Sequence, residues 1–87
     1  MTDDIVEYFR QLGIHIPDVT DLRGLEAPEP MHQILLASAR LGPDERFVAH
    51  LPHEPHPLFP HLRARQLQWR MFTQADDSAL LVIWKMS

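Results

Sequence analysis

Cysteine is absent from the 87 residues. The chain can therefore hold no disulfide, no thiolate metal site and no persulfide, and its stability must come from packing and hydrogen bonds. Long apolar runs are missing too: none approaches the ~18 residues of a membrane-spanning helix. The start, Thr2-Asp3-Asp4, lacks the basic region of a secretory signal, so a cytoplasmic location is expected. Positive charge is in short supply. Eight Lys and Arg stand against twelve Asp and Glu, a net −4, which argues against non-specific nucleic-acid binding through neutralised phosphates.

What is present fits one small soluble domain. An apolar share of 45% with 23% charged residues is ordinary for a globular protein and unlike a disordered one. The charge is uneven along the chain. Residues 1–45 carry nine acids against Arg10, Arg23 and Arg40, a net −6, and the remainder carries five cations against three acids, a net +2. Such asymmetry can guide self-association or a partner, but a solvated surface is the reading it favours.

The pattern of elements reads αβαβαββ. Thr2 to Asp4 makes a helix start, and Ile5, Phe9 and Leu12 recur at four and three residues, widened by Val6 and Tyr8, until Gly13 stops the helix. Ile14 to Pro17 is an extended connection and Val19 to Leu22 a short first strand. In Asp21-Leu22-Arg23-Gly24-Leu25-Glu26-Ala27-Pro28-Glu29-Pro30-Met31 a strand end, a glycine turn and a helix start follow one another. Pro28 suits a first helical turn, and Glu29 complements the helix dipole. Met31, Ile34, Leu35, Ser38 and Leu41 then form one helical stripe, ended by Gly42-Pro43. Met31 on that stripe reads as a packing residue rather than a ligand.

Phe47 to Leu51 alternates as a strand, with Phe47, Ala49 and Leu51 on one face and Val48 and His50 on the other. Four prolines, Pro52, Pro55, Pro57 and Pro60, stiffen a connection into a second helix over about Pro57 to Gln66, buried through Leu58, Phe59 and Leu62. Gln68 to Thr73 and Ser78 to Met86 read as a closing hairpin, with Asp76 and Asp77 suited to its turn. The last strand is apolar on both sides, Leu80, Val82, Trp84 and Met86 one way and Leu81 and Ile83 the other, so both of its faces need a cover. The N-terminal helix or a second copy of the chain in a homodimer would supply it.

Two of these stretches carry a resemblance. Leu22-Arg23-Gly24-Leu25 with Ala27-Pro28 and Pro30 resembles the signature of SirA/TusA-type sulfur carriers, in which a persulfide-bearing cysteine opens the first helix; Ala27 stands in its place. Pro28-Glu29-Pro30-Met31 and His53-Glu54-Pro55-His56-Pro57-Leu58 resemble still more closely a cysteine-less group of uncharacterised bacterial domains of the same presumed fold, which has Asp where this chain has Glu54. The resemblance implies a two-layer α/β sandwich, a βαβαββ mixed four-stranded sheet with two helices. That domain would span residues 19–86, with an added helix over residues 1–13. Members of the cysteine-less group tend to occur near or fused to hemerythrin-like domains and genes of nitrogen-oxide metabolism, which implies a redox or metal-homeostasis setting by association only.

Parallel first and second strands would set the two following loops side by side, at the edge where open α/β sheets bind ligands. This gathers Arg23, Glu26 and Glu29 with His53, Glu54 and His56, beside two helix starts that attract anions. Arg23 is expected to pair with Glu26 or Glu29, or to pin its own turn. Sulfur relay is rejected because Ala27 has no nucleophile, and Ser38 and Thr20 lack an activating histidine and carboxylate at motif spacing.

His50, His53 and His56 recur every third residue and suggest zinc, copper, nickel or haem. In the extended backbone that proline imposes, however, three residues span ~9 Å, whereas two nitrogens on one metal lie within about 3 to 3.5 Å. His15 and His32 read as solvated. Arg63, Arg65 and Arg70 beside Trp69 form the one basic cluster, a weak case for RNA. The expectation is a non-enzymatic domain, without a cofactor, that binds a protein partner or small ligand at the edge where the two loops meet. The alternatives are a histidine-based metal or haem protein, a sulfur-relay-associated partner protein and, weakest, a catalyst using Glu29 and His53.

Overall fold

The computed structural model describes residues 3–85, so Thr2 as a helix cap and Met86 on the last strand lie outside the described residues. The elements run α1 (Asp3–Leu12), β1 (Val19–Asp21), α2 (Glu29–Ala39), β2 (Arg46–Leu51), a 3-10 turn (His56–Leu58) leading into α3 (Phe59–Ala64), β3 (Leu67–Thr73) and β4 (Ala79–Lys85). The four strands form one mixed sheet in the order β1-β2-β4-β3. β1 and β2 are parallel, as their α2 crossover requires, with Asp21 opposite His50; the other pairs are antiparallel.

β4 lies inside the sheet, and its residues from Ala79 to Ile83 are all buried. Its two sets of side chains enter two separate cores. Leu81 and Ile83 join Ala49, Leu51 and Leu67 under α2 and α3, which contribute Ile34 and Leu62 with Leu58 from the 3-10 turn. Leu80 and Val82 join Val48 and Phe72 under α1, which contributes Ile5 and Phe9. The N-terminal helix therefore covers the second face. Two fully buried side chains at i and i+4 anchor it, each contributing about 1.5–3 kcal/mol.

Tyr8 extends α1 across the sheet. Its hydroxyl accepts a hydrogen bond from Arg46 Nε at 3.3 Å, and its ring meets those of Phe72 at 5.6 Å and Trp84 at 6.3 Å. Gly13, at φ 72°, ends α1 in the left-handed conformation, and its N–H bonds to the Phe9 carbonyl.

Helix boundaries depart from expectation around proline. Pro28 is the cap of α2 rather than part of its first turn, which Pro30 occupies. α2 stops at Ala39, before Gly42-Pro43, because bonds from Arg40 N–H to the Ala37 carbonyl and from Leu41 N–H to the Ser38 carbonyl tighten its last turn. The second helix divides into a 3-10 turn and the six-residue α3. Pro57 and Pro60 have no N–H to give an i−4 carbonyl, and Gln66, at φ 59°, closes the far end.

Candidate functional site

The loops leaving β1 and β2 meet at one edge of the sheet and enclose an apolar cleft of about 210 Å³. Leu25, Ala27, Pro28 and Pro30 line it from the first loop and the start of α2, with Met31 and Ile34 behind them. Leu51 at the end of β2, then Pro52, His53, Pro55, Pro57 and Leu58, close the other side. Ile34, Leu51 and Leu58 belong to the core beneath, so the cleft is a shallow opening into packed interior. Leu25, 40% exposed, is a large apolar side chain left at its mouth.

Of the six residues expected to meet here, only His53 lines the cleft. Arg23 turns back to Asp21 rather than to Glu26 or Glu29. Its Nε and Nη2 donate to the two carboxylate oxygens at 2.9 and 2.8 Å, and its own N–H adds a bond at 3.1 Å. The Asp21 carboxyl is held well below the usual carboxylate range by these bonds, and Arg23 is pushed up in turn. The reason is local: a chain leaving a strand toward Gly24 brings residues i and i+2 to the same side, nearer than the next turn.

Glu54 arches to the end of β3. Thr73 Oγ1 donates to its Oε2 at 2.7 Å, and His56 Nε2 lies 2.9 Å from its Oε1; the hydroxyl first and the imidazole second lower its pKa. Glu29 accepts a bond from Gln33 at 3.3 Å and lies 4.0 Å from His32. Glu26 is exposed between two lining residues.

The three spaced histidines do not converge. His50 Nε2 lies 2.9 Å from Ser78 Oγ, His53 Nδ1 lies 3.4 Å from the Glu54 carbonyl oxygen, and His56 meets the Glu54 carboxylate. Among the described residues no group of three or more His, Asp or Glu is arranged to hold a metal ion. His50 on its strand faces the α1 side, away from the loop that carries the other two.

Ser78 donates to Asp76 Oδ1, which holds the Asp76 carboxyl below its ordinary pKa. The order is carboxylate, hydroxyl, imidazole. A nucleophilic triad needs the carboxylate on the imidazole, so this chain of bonds pins the β3–β4 turn to β2.

The start of α2 is a poor anion cradle. Pro28 and Pro30 have no N–H, and Glu29 N–H is already bonded to the Glu26 carbonyl at 2.9 Å, leaving only Met31 N–H at the start of α2. The basic cluster separates as well. Arg63 lies over Trp69, which stacks on Phe59 at 5.0 Å on the α3 face, whereas Arg70 lies over Tyr8 and Phe72 on the α1 face.

The lining residues that sequence reasoning missed were in view as prolines. In sequence Pro52, Pro55 and Pro57 read as backbone stiffeners, Pro28 as a helix start and Met31 as a packing residue. The usable signal was Leu25, an apolar residue directly after a glycine turn where nothing local could bury it. Another groove, of about 410 Å³ between α1 and β3, is lined by Asp4, Glu7, Gln11, Arg70 and Thr73 among others. Its polar walls offer no comparable concentration of apolar surface.

Fold and cleft together define a small α/β domain with an apolar cleft where the loops of a parallel strand pair meet. Residues 19–85 match the model of a family described as an uncharacterized conserved protein, DUF2249, and the chain belongs to that family. Comparison with curated proteins yields no match. No helix among the described residues is long and apolar enough to cross a membrane.

Proposed function

We propose that this is a non-enzymatic binding domain of the SirA/TusA-like type, and that its cleft receives one apolar side chain of a protein partner. The cleft itself carries the reading. At about 210 Å³ it is smaller than the ~300–1,000 Å³ of sites that enclose a whole small-molecule ligand. It suits a single anchor residue of the kind that dominates protein interfaces. Its lining is aliphatic and proline-rich, with His53 as the one titratable side chain, so it offers apolar contact and little machinery for bond-breaking. Ala27, at the position where the resembling carriers present a reactive sulfur, is one of its walls.

Proline walls also favour binding energetically, because a stiff rim loses little conformational freedom when a partner seats. Burying one anchor contributes about 1.5–3 kcal/mol, which sets the scale for loss on blocking. The test is selection of a displayed random-peptide library against the wild-type protein and against Ala27→Trp, whose indole would fill the cleft. Wild type is expected to enrich peptides sharing an apolar residue, with affinity reduced more than tenfold in Ala27→Trp. Peptides that bind both proteins equally would remove the cleft from the interaction.

A further inference from the structure

The rim of the cleft carries a charge that its lining does not. In sequence Glu26 lies between lining residues Leu25 and Ala27 and Glu29 between Pro28 and Pro30, while Glu54, between His53 and Pro55, turns its carboxylate to Thr73 and His56. Among the described residues none of the three is within 4.0 Å of a lysine or arginine; their only ion-pair neighbours are His32 for Glu29 and His56 for Glu54. Arg23, the one arginine in either loop, is committed to Asp21 by its side chain.

We infer that the partner segment is cationic, with lysine or arginine on both sides of the apolar residue that enters the cleft; this rests on the cleft reading above. An anionic partner has little to meet. Proline has removed two of the N–H donors at the start of α2, and the helix dipole supplies only about half a positive charge against the two carboxylates of Glu26 and Glu29.

The remaining charge points the same way. At the opposite end, where β1 and β2 begin and α2, α3 and β4 finish, Arg40, Arg46, Arg63, Arg65 and Lys85 outnumber Asp18, Asp44 and Glu45. The cleft end, which also holds Asp76 and Asp77 in the β3–β4 turn, is therefore the more acidic of the two and has an apolar centre. Such a polarity steers and orients a cationic segment toward the cleft, and holds off an acidic one.

The experiment uses three fluorescein-labelled Gly/Ser-based peptides and fluorescence anisotropy. One carries lysines on both sides of a central leucine, a second has glutamates in place of the lysines, and a third keeps the lysines with glycine in place of leucine. The proteins are wild type, Ala27→Trp and the double variant Glu26→Gln/Glu29→Gln, each confirmed folded by thermal melting.

In wild type the lysine–leucine peptide is expected to bind about tenfold or more tighter than the glutamate–leucine peptide. That advantage should shrink as salt rises from roughly 50 to roughly 200 mM, and shrink likewise in the double variant. Ala27→Trp should lose both leucine peptides. Equal affinity for the two leucine peptides, lost in Ala27→Trp, overturns the cationic partner and leaves the cleft reading intact. Equal binding of the lysine–leucine and lysine–glycine peptides, unaffected by Ala27→Trp, overturns the cleft reading itself. Concentration-dependent dimerisation abolished by Ala27→Trp, with no peptide bound, overturns the proposal in favour of a second copy of the chain.

Discussion

The two faces of the sheet are covered by different means. Beneath α2 and α3 the cover belongs to the βα units themselves, and ten buried residues pack there. On the other face the cover is α1 alone, tied to β1 by the stretch from Gly13 to Asp18 and lying before the residues that match the family. Yet β4 is equally buried toward both, so an interior strand of the sheet, within the family region, depends on a helix outside that region. A family boundary drawn on sequence thus cuts through a physical core.

The largest expected effect follows from removing that helix. Deleting residues 1–12 exposes Val48, Phe72, Leu80 and Val82 as one apolar patch, which soluble monomers rarely tolerate. The truncated chain should self-associate or precipitate, as sedimentation velocity would show. A monomeric, cooperatively folded truncation would mean that α1 is dispensable and that the two faces are not comparable.

Single substitutions sharpen the contrast. Phe9→Ala and Leu62→Ala each empty a site at most 1% exposed, one on either face. Costs of about 3–5 and 2–5 kcal/mol are expected, against total stabilities of about 5–15 kcal/mol for a domain. The distribution of the loss should differ. Leu62→Ala should lower hydrogen-exchange protection throughout the sheet, while Phe9→Ala should release residues 3–12 first, because the connection to β1 allows α1 to lift alone. Uniform loss of protection in both variants would show that the two covers unfold as one unit.

How far this arrangement was legible depended on which kind of periodicity carried it. Alternation in Phe47 to Leu51 and the double-sided apolar run of β4 predicted both strands, their faces and the need for a second cover, because side-chain direction in a strand follows from its period of two. The choice of α1 over a second copy was not legible. Either would bury the same patch, and only the path of residues 13–18 decides.

At the site the position was legible and the chemistry was not. Parallel pairing of β1 and β2 brought the two loops together as expected. The charged residues were then drawn off by nearer partners, Arg23 to Asp21 and Glu54 to Thr73, a competition that spacing alone does not resolve. What remained at the centre was the proline and aliphatic surface between them.

A smaller effect lies inside the α2–α3 face. Ser38 is buried, and its Oγ has no hydrogen-bond partner among the described residues. Burying a hydroxyl without a partner costs about 1–3 kcal/mol, so Ser38→Ala should raise stability by about 1 kcal/mol, read as a shift of the denaturation midpoint at unchanged slope. A loss instead would show that the hydroxyl is satisfied in solution, and that this face has less to gain than its packing implies.

The smallest effect compares the two covers at their helix ends. α1 closes on Gly13 at φ 72°, and a Cβ placed there would meet nothing within 4 Å, so glycine is present for its backbone alone. Just past α3, Gln66 adopts nearly the same left-handed conformation, at φ 59°, with a side chain that disfavours it by about 1–2 kcal/mol. Glycine would relieve that strain but lose about 0.5–1 kcal/mol to the greater freedom of the unfolded chain. The net expectation for Gln66→Gly is a gain of about 0.5 kcal/mol. Gly13→Ala, the reverse change on the other cover, should lose about 1 kcal/mol without any steric clash. Opposite signs in the two melting experiments would establish that the faces differ in how their covers end, since at both positions the surrounding packing stays as it was.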